Sequence, residues 1–146
     1  MNGIIYVAIG GALGASGRYL TGLWATRQLP AGFPYGTLIV NIVGSLLMGV
    51  LMGWLLTRDS SETAKLFLAT GFLGGFTTFS AFSLDAINLL ERKAYTPFFL
   101  YVGGSVILAI LALAIGLCSS NTIPAKQPVI LTTGFFRWPG TMELVV

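Results

Sequence analysis

The sequence predicts an all-α integral membrane protein of four transmembrane helices with a break in the third. Three observations carry this. Of 146 residues, 55% are hydrophobic and 9% charged, against about a quarter charged in a soluble domain. Four apolar blocks, about Ile4 to Ala25, Gly36 to Thr57, Leu66 to Leu84 or a little beyond, and Pro97 to Cys118, each approach the roughly 20 residues of a spanning helix. The third block contains Gly71-Phe72-Leu73-Gly74-Gly75-Phe76-Thr77-Thr78-Phe79-Ser80-Ala81-Phe82. Its paired glycines and threonines are costly in a helix interior and invite unwinding between Gly74 and Thr78. Non-helical backbone at membrane depth persists only where protein buries it or an aqueous path runs beside it, and freed carbonyls there commonly hold a cation.

Residues 1–118 form the membrane unit, and residues 119–146, with Pro124, Pro128 and Pro139 and no trustworthy period, are read as a loose or interfacial tail. The first block lacks the basic flank of a cleavable signal and is expected to stay in place. A single cysteine, Cys118, excludes an intrachain disulfide, and the absence of histidine argues against zinc or haem. The net charge of +3 comes with no basic run, so nucleic acid is not an expected partner. With four alternating helices, Arg58, Lys65, Lys126 and Arg137 fall on one side of the membrane and Arg27, Arg92 and Lys93 on the other. So weak a bias does not let the positive-inside rule choose an orientation. It points to insertion in both orientations and an antiparallel homodimer, whose eight helices enclose a pathway that four would not.

In the first helix, Gly10 and Gly14 form a small-xxx-small pair suited to close helix packing. Arg18 lies deep enough that its guanidinium needs water, a partner or an anion, unless it snorkels to the interface. In the second helix Asn41, Ser45, Gly49 and Gly53 recur every four residues, with Thr37 one turn earlier. Gly49 and Gly53 read as packing; Asn41, an amide well inside the bilayer, reads as functional or as an interhelical hydrogen-bonding group. Ser60 or Ser61 supplies cap chemistry for the third helix. Beyond the break, Phe79 and Phe82 share a face, interleaved with Ser80 and Ser83, and Asp85 is the one acid inside or near a span. Pro97 sits at a permitted first-turn position of the fourth helix, where Tyr101 and Ser105 share a face.

No nucleophile and base pair, metal-ligand cluster or phosphate loop is present, so an enzyme is not expected and transport is the better class. The polar groups offered to the interior, Asn41, Thr37, Ser80, Tyr101, Ser105 and Arg18, are mainly donors, which favours an anion. Phenylalanine adds to this through the positive edge of its ring.

These residues resemble the CrcB/Fluc fluoride channels, small bacterial membrane proteins. The resemblance covers about Ile4 to Leu117 and rests on GGALGASGRY at Gly10 to Tyr19, GTLIVNIVGS at Gly36 to Ser45, and GFLGGFTTFSAFS at Gly71 to Ser83. It implies a dual-topology homodimer in the bacterial inner membrane, with two fluoride pores and a central structural sodium ion. Passive fluoride efflux is the implied role. The sodium ligands would be the backbone carbonyls of Gly74 and Thr77. The pore phenylalanines would be Phe79 and Phe82, the pore asparagine Asn41, and the hydroxyl track Tyr101 and Ser105, with Thr37, Ser80 and Arg18 beside them. The residues from Ser119 onward exceed the usual family length.

Two other classes fit parts of the sequence. A proton-coupled exporter of the small multidrug type also uses four helices and dual topology, but needs an acid in its first helix, which is lacking here. A non-transporting packing partner explains the glycines without explaining why Asn41, two phenylalanines and a helix break coincide.

Overall fold

The computed structural model describes residues 3–57 and 61–119, and every regular element among them is helical. In chain order these are α1 (Gly3–Gln28), α2 (Tyr35–Thr57), α3 (Glu62–Lys65), a π-helical stretch (Leu66–Leu73), α4 (Gly74–Phe76), α5 (Phe79–Glu91) and α6 (Tyr95–Ser119). Tyr35–Leu55, Glu62–Glu91 and Tyr95–Ser119 are each long and apolar enough to cross a membrane. At 26 residues α1 is as long, though less apolar.

Local chemistry sets the ends. Ser61 opens α3 by accepting the Ala64 N–H on its hydroxyl at 3.3 Å, as the serine pattern predicts. After α5, Lys93 takes a left-handed φ of 56°. Its N–H donates to the Leu90 carbonyl at 2.8 Å and the Ala94 N–H to the Leu89 carbonyl at 3.0 Å, closing the helix as a Schellman turn. The turn between α1 and α2 passes through Gly32 at φ +101°, a conformation that costs a residue with a Cβ. The fourth block ends one residue beyond Cys118, at Ser119. The tail from residue 120 and the loop residues 58–60 lie outside the described residues.

Two pairs of elements carry most of the packing: α2 with α6, and α1 with the π-helical stretch and α4. Both are built on glycine, as the small-residue spacing predicts. A Cβ on Gly10 would lie 2.9 Å from the Phe72 nitrogen, and one on Gly75 would lie 2.6 Å from the Gly11 carbonyl oxygen. In the other pair, a Cβ on either Gly49 or Gly116 would lie 3.0 Å from the Cα of its opposite number. Such backbone-to-backbone approach gives dispersion contact where lipid supplies no hydrophobic drive.

These contacts correct the expected limits of the break. Gly74 and Gly75 stay helical; Gly75 is spent on contact with α1. The chain leaves the helix only at Thr77 (φ −74°, ψ 156°) and Thr78 (φ −153°, ψ 123°). Both are extended conformations that β-branched residues favour. The π-helical turns upstream have no counterpart in the sequence pattern, because Leu66 to Leu73 is largely apolar and shows no period.

Adding one methyl at Gly14 drives it into the Phe72 carbonyl and to within 2.8 Å of the Phe76 nitrogen. Gly14→Ala is expected to lower stability in detergent by roughly 1–3 kcal/mol. Gly22→Ala, where a Cβ meets nothing within 4 Å, is expected to be neutral or mildly stabilising; denaturant titration of the two variants checks the contrast.

Candidate functional site

The break is held by a side chain from another helix. Asn41 Nδ2 donates to the Thr78 carbonyl at 3.0 Å, and the Thr78 N–H donates to Asn41 Oδ1 at 2.8 Å. One amide thereby satisfies backbone groups of a residue that is 8% exposed, as buried backbone polar groups require. Upstream, the Thr77 N–H and hydroxyl both donate to the Leu73 carbonyl, at 3.0 and 2.9 Å. Downstream, Thr78 caps α5 by accepting the Ala81 N–H on Oγ1 at 3.2 Å, and the same hydroxyl lies 3.2 Å from Ser80 Oγ.

This arrangement removes the helical partners of the four carbonyls from Gly74 to Thr77, because Thr77 and Thr78 are extended and α5 starts afresh at Phe79. In a continuous helix the Gly74 carbonyl would accept from the Thr78 N–H and the Thr77 carbonyl from the Ala81 N–H. Those donors are committed instead to Asn41 Oδ1 and Thr78 Oγ1. Gly74 and Thr77, which the resemblance names as cation ligands, are therefore among the residues whose carbonyls the break frees. The chemistry suits a hard cation, which takes oxygen donors. Among the described residues no cluster of three or more His, Cys, Asp or Glu side chains could hold a metal ion.

Gly74 and Thr77 border an open cavity of about 470 Å³, which Asn41, Phe79, Phe82 and Ser105 also line. The Phe79 and Phe82 rings stand 5.4 Å apart at 40°. Ser105 Oγ is buried with no hydrogen-bond partner. One Asn41 N–H also remains after the two bonds to Thr78, so two unpaired donors lie on residues that border the cavity, beside Gly74 and Thr77 with their freed carbonyls.

The other expected residues separate from this group. Tyr101, fully buried, stands behind Phe82, ring centroids 5.3 Å apart. Its hydroxyl donates to Asp85 Oδ2 at 3.3 Å, and the Thr37 hydroxyl donates to the same oxygen at 2.7 Å. Thr37 and Asp85 line a second cavity of about 400 Å³ beside the turn between α1 and α2. Phe33, also on that cavity, meets the Tyr101 ring edge-on at 5.7 Å. Tyr101 thus links the two cavities, touching Phe82 of the first and Phe33 and Asp85 of the second. Ser80 is exposed and borders neither described cavity; Arg18 is half-buried, borders neither, and hydrogen-bonds to no described residue.

Sequence reasoning missed Thr78, Gly44 and Phe33. A Cβ on Gly44 would strike the Thr77 methyl, so this glycine seats the break from α2. The doubled threonine was a signal for Thr78; nothing local pointed to Phe33.

The family model for "CrcB-like protein, Camphor Resistance (CrcB)" matches residues 5–117, which include every residue of both cavities. The chain belongs to this family. Proteins named "Fluoride-specific ion channel FluC" are similar to it along nearly their whole length. The one from Hyphomonas neptunium is 54% identical over 125 residues, 84% of this chain and 98% of that protein. Its counterpart from Caulobacter vibrioides (strain NA1000 / CB15N) is 50% identical over the same coverage. That from Mesorhizobium japonicum is 47% identical over 124 residues, 85% of this chain and 100% of the relative.

The shared acceptor on Asp85 makes a checkable network. Asp85→Ala leaves the buried Tyr101 hydroxyl without its acceptor and is expected to cost about 1–3 kcal/mol of stability. Adding Tyr101→Phe to that variant removes the stranded hydroxyl and is expected to recover part of the loss, measured as a double-mutant cycle by unfolding in detergent.

Proposed function

We propose that this CrcB-family chain is a fluoride channel that carries fluoride passively out of the cell across the bacterial inner membrane. The observation that carries the proposal is the cavity at the break, where Asn41, Ser105, Phe79 and Phe82 come together. The geometry supports a small anion. Spare N–H and O–H donors replace its water, and ring edges contribute the positive part of the aromatic quadrupole. The naming of relatives about half identical to it supplies fluoride as that anion.

A helix interrupted in the membrane offers opposite polarities at its two ends. The α4 end presents carbonyls and suits a cation; the α5 end presents amides and suits an anion. In this proposal the carbonyls of Gly74 and Thr77 hold a structural sodium ion, whose chemistry when bound is neutralisation of oxygen dipoles that lipid would leave unpaired. An antiparallel homodimer brings two such pairs together on its axis and provides two pores. Its support is the near-even split of basic residues and the openness of the cavity. Phe79, 77% exposed in the single chain, would be covered by the partner or would face the pore. α1 is the fourth spanning helix in this arrangement, with Arg18 toward the pore entrance. Thr37 and Tyr101, whose hydroxyls donate to Asp85 in the single chain, and Ser80 would join the donor path by turning their hydroxyls toward it.

Liposomes containing only the purified protein are expected to release fluoride rapidly, read with a fluoride electrode, and to retain chloride. Phe79→Ile and Phe82→Ile are expected to slow that release at least about tenfold, the effect of losing roughly 1.4 kcal/mol of favourable anion contact. Unchanged release in both variants would remove the pore assignment. Release of neither ion from folded protein would favour a packing partner.

Topology has its own reporter in Cys118, exposed near the end of α6. In intact spheroplasts an impermeant maleimide is expected to label about half of the chains, because the two copies of an antiparallel dimer face opposite ways. Labelling of all chains or of none would show a single orientation.

A further inference from the structure

From the two hydrogen bonds between Asn41 and Thr78, we infer that Asn41 is a positioning residue for the cation site as well as an anion-facing donor. The inference rests on the sodium reading above and extends it to a side chain that supplies no ligand. Thr78 has one N–H, and two acceptors compete for it. In an unbroken helix it belongs to the Gly74 carbonyl; here it donates to Asn41 Oδ1 at 2.8 Å. As long as Asn41 holds that proton, the Gly74 oxygen is free.

Without Asn41, Thr78 is left with a buried N–H that has lost its acceptor. Such groups are too costly to leave. The nearest remedy is local. Rotation at Thr77, whose ψ of 156° marks the break, returns the Thr78 N–H to the Gly74 carbonyl, and a matching change at the extended Thr78 closes the helix. The Gly74 carbonyl is then consumed by the chain and lost to the cation. Because Asn41 also borders the cavity, one amide joins the two ions: its oxygen and one N–H keep the break open, and its other N–H is left for the anion. The two bonds also fix which way the amide faces, so the anion meets a donor and not an oxygen.

The test reads sodium and not flux. Full-length protein is purified with potassium in place of sodium, and its thermal midpoint is followed as sodium chloride is added at constant ionic strength. Wild type and Phe82→Ile are expected to respond with the same half-saturating sodium concentration, since Phe82 belongs only to the anion path. Asn41→Ala is expected to need at least about tenfold more sodium, the scale on which loss of one carbonyl dipole acts. Asn41→Leu keeps the bulk without an acceptor and is expected to match it, which covers the case in which alanine leaves the protein unfolded. Asn41→Asp keeps an acceptor for the Thr78 N–H and is expected to stay within about threefold of wild type.

A sodium response in wild type that is unchanged in Asn41→Ala or Asn41→Leu overturns this inference and leaves the sodium reading standing. A wild type that ignores sodium overturns both. An Asn41→Asp variant as weak as the leucine variant also counts against the inference, because the acceptor alone should then have sufficed.

Discussion

Backbone polar groups set free inside an apolar layer have to be satisfied by protein, because the surroundings offer no water. In this chain that requirement falls on Thr78, and the Asn41 side chain meets it from α2 with one donated and one accepted hydrogen bond. Much else follows from this pairing. Helix α5 begins where it does because Thr78, held in an extended conformation, caps it. Its first turn carries Phe79 and Phe82 to the cavity. The carbonyls of Gly74 and Thr77 lose their usual partners because the N–H groups that would take them are engaged elsewhere.

The glycines act one step earlier. They do not break the helix; they let it come close enough for the break to be supported. Gly10 and Gly14 admit the backbone of the third segment against α1, and Gly44 leaves room for the Thr77 methyl. Gly49 and Gly116 bring α6 onto α2, and so bring Ser105 to the same cavity as Asn41. A methyl at most of these positions would meet backbone, which cannot rotate aside as a side chain can. The small-residue spacing and the polar site are therefore one design, in which the first sets the distances on which the second depends.

Much of this is legible in the sequence. An amide at Asn41 within an uncharged run has to be explained by a partner or an ion, and the Gly-Gly-Phe-Thr-Thr stretch has to interrupt a helix. What the sequence does not supply is pairing across distance. Asn41 and Thr78 are 37 positions apart, and nothing local indicates that one serves the other. Asp85 stands out as an unexplained acid; its two partners, Thr37 and Tyr101, lie on α2 and α6 and emerge only when three helices meet. The glycines mislead slightly, because their low helix propensity suggests unwinding where tertiary contact has a stronger use for them. The π-helical turns leave no trace, since an apolar run from Leu66 to Leu73 satisfies either helix equally well.

A broken membrane helix gives up hydrogen bonds and has to gain something that an intact one lacks. Here the gain is polarity of both signs at one depth. The carbonyls freed at the α4 side and the amide end of α5 lie within a few residues of each other around Thr77 and Thr78, so the proposed cation and the proposed anion would be accommodated by one short stretch of chain. Neither site can be moved independently. Shifting the break by one residue changes which carbonyl is free, rotates Phe79 and Phe82 by about 100° around α5, and takes Thr78 away from Asn41. The proposed sodium ion and the proposed fluoride path are thus consequences of a single register, and Asn41 is the residue that holds it.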